Sequence, residues 1–255
     1  MLVGMSELST KLMHTLDGAR HLLFPAGCLF CQLPVHDDGV CCADCMQEIR
    51  VYPHATCLRC GVVLPESMAP GPCGRCLKYA PPQQQTYALY EYHGPVREAI
   101  LNWKLAGKEG AARWLVEAAL PRLKELILPD DILLPMPSPL SRMQKSGQHH
   151  TANLCAWLAM ATGAQRQWRL LRRIGEQPRQ SSLTGSARRK NLCKAFALSA
   201  DYRSLLQQRA PDASLWIIDD IFTTGSSVHY AARAMKRTGL LVNVLTLART
   251  EQRGL

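Results

Sequence analysis

No uninterrupted apolar run in the chain approaches the ~18 to 20 residues that cross a bilayer, which argues against a helical membrane span. A secretory segment is lacking too. Leu8, Leu12, Leu16, Ala19 and Leu23 recur at helical spacing, but Lys11, His14, Asp17 and Arg20 interrupt any apolar h-region. The stretch reads as an amphipathic helix on the chain's own core, with peripheral membrane attachment as the alternative. No internal repeat is visible beyond pairs of cysteines. Acids are scarce: 20 Asp and Glu face 30 Lys and Arg, a net charge of +10 that favours polyanionic partners such as nucleic acid or phosphorylated metabolites. Arg166, Arg169, Arg172, Arg173, Arg179, Arg188, Arg189 and Lys190 crowd one stretch against a single acid, Glu176, although such a run is as often a solvated face.

Cysteine is plentiful. Nine of the 11 cysteines fall within residues 28–76, where long periodic apolar segments are missing and Gly and Pro are frequent. A loop-dominated module of this size lacks a core and must draw folding energy from cross-links or metal. With no export signal, a reducing compartment and a metal fit better than disulfides. Cys28 and Cys31, Cys42 and Cys45, Cys57 and Cys60, and Cys73 and Cys76 are four CxxC pairs. Two thiolates on one tight turn reach one tetrahedral ion, so two pairs close one zinc site and eight ligands serve two ions. The simplest grouping joins neighbours, Cys28, Cys31, Cys42 and Cys45 for one ion and Cys57, Cys60, Cys73 and Cys76 for the other, while an interleaved pairing stays open. Four thiolates leave no position for water, so the role is structural. A redox dithiol is the competing reading of a single CxxC, but four copies in so short a stretch argue against it. Cys41 lacks the CxxC spacing to Cys45, and Cys155 and Cys193 read as packing residues.

Pro81, Pro82, Gln83, Gln84 and Gln85 read as a linker, giving an N-terminal helix and zinc-ribbon module over residues 1–80 and a second domain over 86–255. In the second domain, residues 86–92 predict a strand and 95–104 a helix opened by Pro95; 110–128 predict a further helix. Residues 131–136 form a short apolar run closed by Pro137, and 151–162 have helical periodicity through Leu154, Leu158 and Ala161. Residues 214–218 and 241–247 complete the strands. Strands separated by helices predict an α/β domain with a parallel sheet flanked by helices.

Residues 215–227 are the most informative. An apolar strand leads into Asp219 and Asp220, then Thr223, Thr224, Gly225, Ser226 and Ser227, then a helix stopped near Gly239. Hydroxyls and a glycine at a helix N-terminus form an anion-binding nest. Two adjacent carboxylates repel unless they have partners, and a ribose diol supplies them. The bland alternative is an Asp-rich turn with Ser226 or Ser227 capping the helix.

The run from Ile217 to Ser227 resembles the phosphoribosyl-pyrophosphate (PRPP) signature of type I phosphoribosyltransferases. Together with the cysteine module, the chain resembles the ComF/GntX family of competence-related proteins. That resemblance implies a type I phosphoribosyltransferase-like sheet behind a double zinc ribbon, with two structural zinc ions and Mg²⁺ arriving with PRPP. It implies that Asp219 and Asp220 contact the ribose and that Thr223, Thr224, Gly225, Ser226 and Ser227 hold its 5′-phosphate. Arg142 and Lys145 would reach the diphosphate, and Lys104 matches a family lysine in the PRPP-binding set, while all three read equally as surface charges. Family members carry an Arg-Gly-Phe-Asn-Gln run after the strand matching residues 133–137, whereas this chain has Ser146, Gly147, Gln148, His149 and His150. His149 and His150 read as plain polar residues at a helix start. The family implies a cytoplasmic role in using external DNA, beside uptake machinery at the inner membrane. Arg166 to Lys190, with Trp168 among them, suit single-stranded DNA by charge and stacking. The alternative within the resemblance is a catalytically active transferase with an unidentified acceptor, in which Asp219 and Asp220 stabilise an oxocarbenium-like state.

Overall fold

The computed structural model describes residues 27–35, 39–139, 143–144, 147–174 and 195–251. The expected helix through Leu8 and Leu23, the cations Arg142 and Lys145, Ser146, the basic residues Arg179, Arg188, Arg189 and Lys190, and Cys193 lie outside them. The chain divides into two compact units, Met1–Ile49 and Arg50–Leu255.

The first unit is organised around a cysteine knuckle. Gln32 takes a left-handed backbone conformation, φ 65°, which lets its N–H turn back to the Cys28 carbonyl at 2.9 Å. Helix α1 (Ala43–Glu48) follows, with the Cys42 side chain accepting from the Cys45 N–H at its N-terminus.

The second unit opens with the same device. Cys57 accepts at its carbonyl from the Gly61 N–H at 2.7 Å, and Gly61 has φ 68°. Here glycine is required twice over, because a Cβ would lie 2.8 Å from the Thr86 carbonyl oxygen. Helix α2 (Gly74–Lys78) carries Cys76. Then come β1 (Gln85–Glu91), α3 (Gly94–Ala106), α4 (Gly110–Ala118), α5 (Leu120–Leu126), β2 (Ile132–Pro135), α6 (His150–Thr162), β3 (Gln165–Arg166), β4 (Leu171–Arg173), β5 (Phe196–Leu198), α7 (Tyr202–Leu205), β6 (Leu215–Phe222), α8 (Ser226–Met235) and β7 (Val242–Arg249). Five strands form one parallel sheet in the order β1-β7-β6-β2-β3, and β4 pairs antiparallel with β5. This is the α/β architecture expected from alternating apolar runs.

Three local differences have clear causes. The expected helix over 110–128 divides at Ala119, because Pro121 cannot donate to the preceding turn and restarts the helix as α5. The buried face of α6 runs through Thr151, Leu154, Cys155, Leu158, Ala159 and Thr162, so Ala161 is only half-buried. The residues read as a linker are ordered: buried Gln83 donates to Thr86 Oγ1 at 3.2 Å, and the Gln84 N–H donates to the Val242 carbonyl at 2.7 Å.

One core cluster lies where α8 and the β4–β5 pair cover the sheet. Ile217, Phe222, Val228, Ala231, Ala232, Met235 and Val244 pack there with Leu170, Leu171 and Phe196. At ~25 cal/mol per Å² of apolar surface removed from water, the Ile, Leu, Val, Phe and Met side chains among them each contribute about 1.5 to 3 kcal/mol.

Candidate functional site

Each group of four cysteines has its Sγ atoms within 4.8 Å of one another, and the groups join sequence neighbours: Cys28, Cys31, Cys42 and Cys45, then Cys57, Cys60, Cys73 and Cys76. Four sulfurs at about 2.3 Å from a tetrahedral ion stand about 3.8 Å apart. The Cys31–Cys42 pair is at 3.7 Å and the Cys60–Cys73 pair at 3.8 Å, so the donor sets fit zinc. Electrostatics agree. Burial raises the Cys28 thiol, but backbone N–H groups of Cys31, Cys42 and Phe30 outweigh it and bring it down to about 6. Cys57 falls to about 7 in the same way, burial being outweighed by the N–H groups of Cys60, Cys73 and Arg59, with the Cys60 thiol also helping. Burial instead pushes Cys45 and Cys76 up, as expected of crowded thiols that only a cation relieves. Cys41 sits beside the first group, and burial pushes it up to about 12.

The second constellation lies at the carboxyl edge of the sheet. β2 leads through α6 to β3 on one side, whereas β6 leads through α8 to β7 on the other. The strand order therefore reverses direction between β2 and β6, the place where open α/β sheets receive ligands. β2 stops there because Pro137 cannot extend the ladder; its last pairs are Pro135 with Ile218 in register and the Met136 N–H on the Ile218 carbonyl at 2.8 Å. Asp219 and Asp220 therefore run past the end of β2.

These acids were expected to follow a strand ending at Ile218. In fact β6 continues to Phe222, because β7 runs to Arg249 and keeps pairing it, Asp219 opposite Thr246 and Phe222 opposite Arg249. Both acids are half-buried, and the Asp220 N–H donates to Asp219 Oδ1 at 2.9 Å. Lys104 comes from the last turn of α3. Trp103 beside it is fully buried, so the helix turns Lys104 outward, and its Nζ meets Asp220 Oδ2 at 2.6 Å. Among the described residues Lys104 thus joins the acid pair, and it neutralises one of the two charges.

After Phe222 the chain turns through Thr223 and Thr224 to Gly225, whose φ of 73° is left-handed. Gly225 caps α8, and the Thr224 and Ser226 hydroxyls stand 3.1 Å apart. The first-turn amides of α8, those of Ser226, Ser227 and Val228, have no carbonyl within the helix and carry its positive dipole end. A Cβ at Gly225 would approach the Phe222 ring to 2.6 Å, so the buried ring forms the floor of this loop. The arrangement can hold an anion at the loop and hydroxyl donors at the carboxylates.

On the β2 side, His149 caps α6 by accepting at Nδ1 from the Ala152 N–H at 3.2 Å, and burial holds its basicity down. His150 is buried with its ring edge-on to Trp103, centroids 5.1 Å apart. Both agree with a helix start; neither faces a metal group among the described residues. Elsewhere Trp168 is 73% exposed, and Arg166, Arg169 and Arg172 close to it in sequence are exposed too, although Arg169 also pairs with Asp201 at 3.3 Å.

Sequence reasoning missed Arg249. It is 2% exposed, its Nη1 donates to the Cys60 carbonyl at 2.5 Å, and its guanidinium lies 4.2 Å from the Phe222 ring centroid. The signal in the sequence was slight, a cation at the end of a mostly apolar strand that also carries Asn243 and Thr246.

Comparison with known proteins adds one family match and three relatives. The double zinc ribbon domain family model matches residues 19–77. A protein named DNA utilization protein YhgH from Salmonella typhi is 28% identical over 237 residues, covering 90% of this chain and 99% of that protein. The same-named protein of Escherichia coli K12 is 29% identical over 238 residues with the same coverage, and Competence protein F of Haemophilus influenzae is 25% identical over 221 residues, covering 84% and 92%.

Proposed function

We propose, from the premise that this chain belongs to the ComF/GntX family of double zinc ribbon proteins, that it serves DNA utilisation and binds PRPP or a related phosphorylated ribose at β6 and the loop after it. The observation that carries this reading is one continuous run. Two carboxylates stand past the end of β2 at the switch point, followed by a left-handed glycine and the free amides of α8. A 5′-phosphate fits the amides of residues 225–227 and the hydroxyls of Thr223, Thr224, Ser226 and Ser227. The ribose diol fits Asp219 and Asp220 as hydroxyl donors to carboxylate acceptors.

Lys104 then has a definite role. With its ammonium on Asp220, the acid pair holds one net negative charge instead of two, which lowers the repulsion toward an incoming phosphorylated ligand. The same carboxylates are half-buried oxygen donors of the type Mg²⁺ takes, so they would hold an ion accompanying a diphosphate, where its charge offsets that of the phosphates. Arg142 belongs to this reading as a diphosphate contact.

The DNA-facing part of the proposal rests on Trp168. An exposed indole, with exposed Arg166, Arg169 and Arg172 close to it in sequence, offers one base a stacking surface and the backbone a cationic track. A second reading, an active transferase with an unidentified acceptor, is favoured by the acid pair at a site of this shape, which would stabilise positive charge developing on the sugar.

Calorimetric titration with PRPP and Mg²⁺ tests the ligand. Wild type should bind, and the double variant Asp219→Asn, Asp220→Asn should lose at least about tenfold in affinity, the weight of one or two charge-assisted hydrogen bonds. Single-stranded DNA binding, followed by fluorescence anisotropy, should weaken with salt and with Trp168→Ala yet survive the Asp changes. Pyrophosphate release from PRPP separates the two readings. Absence of PRPP binding by folded wild type would end both.

A further inference from the structure

We propose that Arg249 is a positioning residue that couples the second four-cysteine group to the phosphate loop, so that metal held by Cys57, Cys60, Cys73 and Cys76 keeps the loop in its binding shape. The inference rests on the reading that residues 223–227 hold a phosphate. It adds to that reading a mechanical link and a dependence on metal.

The link is short and continuous. Cys60 lies in the knuckle turn closed by the Gly61 N–H on the Cys57 carbonyl. Its own carbonyl accepts from Arg249 Nη1 at 2.5 Å. Tyr52 holds the same turn, donating its hydroxyl to the Gly61 carbonyl at 3.0 Å while its ring lies 5.9 Å from the guanidinium. The guanidinium also lies over the Phe222 ring, 4.2 Å from its centroid. That ring in turn fills the space where a Cβ at Gly225 would come to 2.6 Å. Knuckle carbonyl, guanidinium, phenyl ring and loop glycine thus touch in sequence.

Physical chemistry makes the chain of contacts more than adjacency. A buried guanidinium is strongly unfavourable without partners. Among the described residues no carboxylate forms an ion pair with Arg249; its partners are the Cys60 carbonyl and two aromatic faces. The carbonyl is the directional one, and its position is set by the turn that the Gly61 N–H closes and that metal on Cys57 and Cys60 would hold in place. If the knuckle opens, the guanidinium loses its acceptor and must move toward water. The Phe222 ring then loses its cationic cover, and the floor beneath Gly225 is no longer fixed. The close approach at Gly61, where a Cβ would come to 3.0 Å from Arg249 Nη1, shows how little slack the contact has.

The test uses the full chain, with hydrogen exchange read at residues 225–228 and 57–76, zinc content, and calorimetric binding of ribose 5-phosphate. In wild type, a chelator that opens residues 57–76 should speed exchange at 225–228 and weaken ribose 5-phosphate about tenfold. Arg249→Leu, with zinc still bound and unfolding still cooperative, should show both changes already, and chelation should add little, the non-additivity expected of two steps on one path. If Arg249→Leu does not fold, Arg249→Lys and Phe222→Leu carry the test, since lysine keeps the charge but loses the planar fork. Wild-type exchange at 225–228 in a folded Arg249 variant, or in chelated wild type with residues 57–76 open, overturns the proposal. Exchange coupling without any ribose 5-phosphate binding by wild type would support the link and refute the phosphate reading.

Discussion

A side chain at position 225 would need a left-handed backbone, φ 73°, and a place 2.6 Å from the Phe222 ring, so the shape of the loop depends on glycine there twice over. His149 supports the neighbouring wall of the site differently. Its neutral Nδ1 accepts from the Ala152 N–H, a role that protonation removes, and burial already holds its basicity below the ordinary value. A depressed histidine binds fewer protons folded than unfolded near pH 6, so its contribution is present above the unfolded value of about 6.5 and is lost as pH falls through the folded one. His149→Asn keeps a capping acceptor without a titration. Thermal unfolding should therefore show wild type losing about 1 kcal/mol more than the variant between pH 7 and 5; equal losses would contradict the capping account. His149 was legible from sequence as a helix start but not as the cap itself, because Asn and Asp are the usual signals and a histidine cap needs the following backbone to be seen.

Among the elements, β6 is held at both ends. At its entry, buried Asp131 accepts at Oδ1 from the Ser214 N–H at 2.8 Å, and at Oδ2 from Trp216 Nε1 at 2.9 Å and from the Leu128 N–H at 3.0 Å. One carboxylate thereby fixes the end of α5, the start of β2 and the start of β6 together. Asp131→Ala leaves three donors without their acceptor and should destabilise the chain by about 3 kcal/mol in denaturant unfolding; a loss under about 1 kcal/mol would show that the carboxylate is not holding these elements. At its exit β6 is longer than its apolar run. The hydrophobic pattern stops at Ile218, and only the length of β7 carries the strand on through Asp219 and Asp220. The parallel sheet, the Gly225 turn and the helix after it were readable because apolar periodicity and hydroxyl-glycine chemistry are local signals. The β4–β5 pair was not, since three-residue strands carry no period and their pairing is decided by packing on α8. Lys104 was found by resemblance alone; its meeting with Asp220 needs the turn of α3 that Trp103 anchors.

At the scale of the whole molecule, the two four-cysteine groups are alike in chemistry and different in setting. The second belongs to the unit that contains the sheet, and it covers the open edge of β1: the Tyr52 N–H donates to the Leu89 carbonyl at 2.9 Å, and the Thr86 N–H to the Leu58 carbonyl at 3.2 Å. Spacing predicted both groups, whereas the integration of the second was hidden, because Gln83 and Arg249 become structural only once the chain is folded around them. Native mass spectrometry should find two zinc ions per chain, and a single ion would contradict the donor sets as described. Among the described residues no helix is long and apolar enough to cross a membrane. A crystal structure grown with ribose 5-phosphate tests whether the carboxyl edge of the sheet holds a phosphorylated sugar. It should place the phosphate on the amides of residues 225–227 and the ribose hydroxyls on Asp219 and Asp220. Density for the sugar phosphate elsewhere, with this loop vacant and Lys104 still closed on Asp220, would contradict the account.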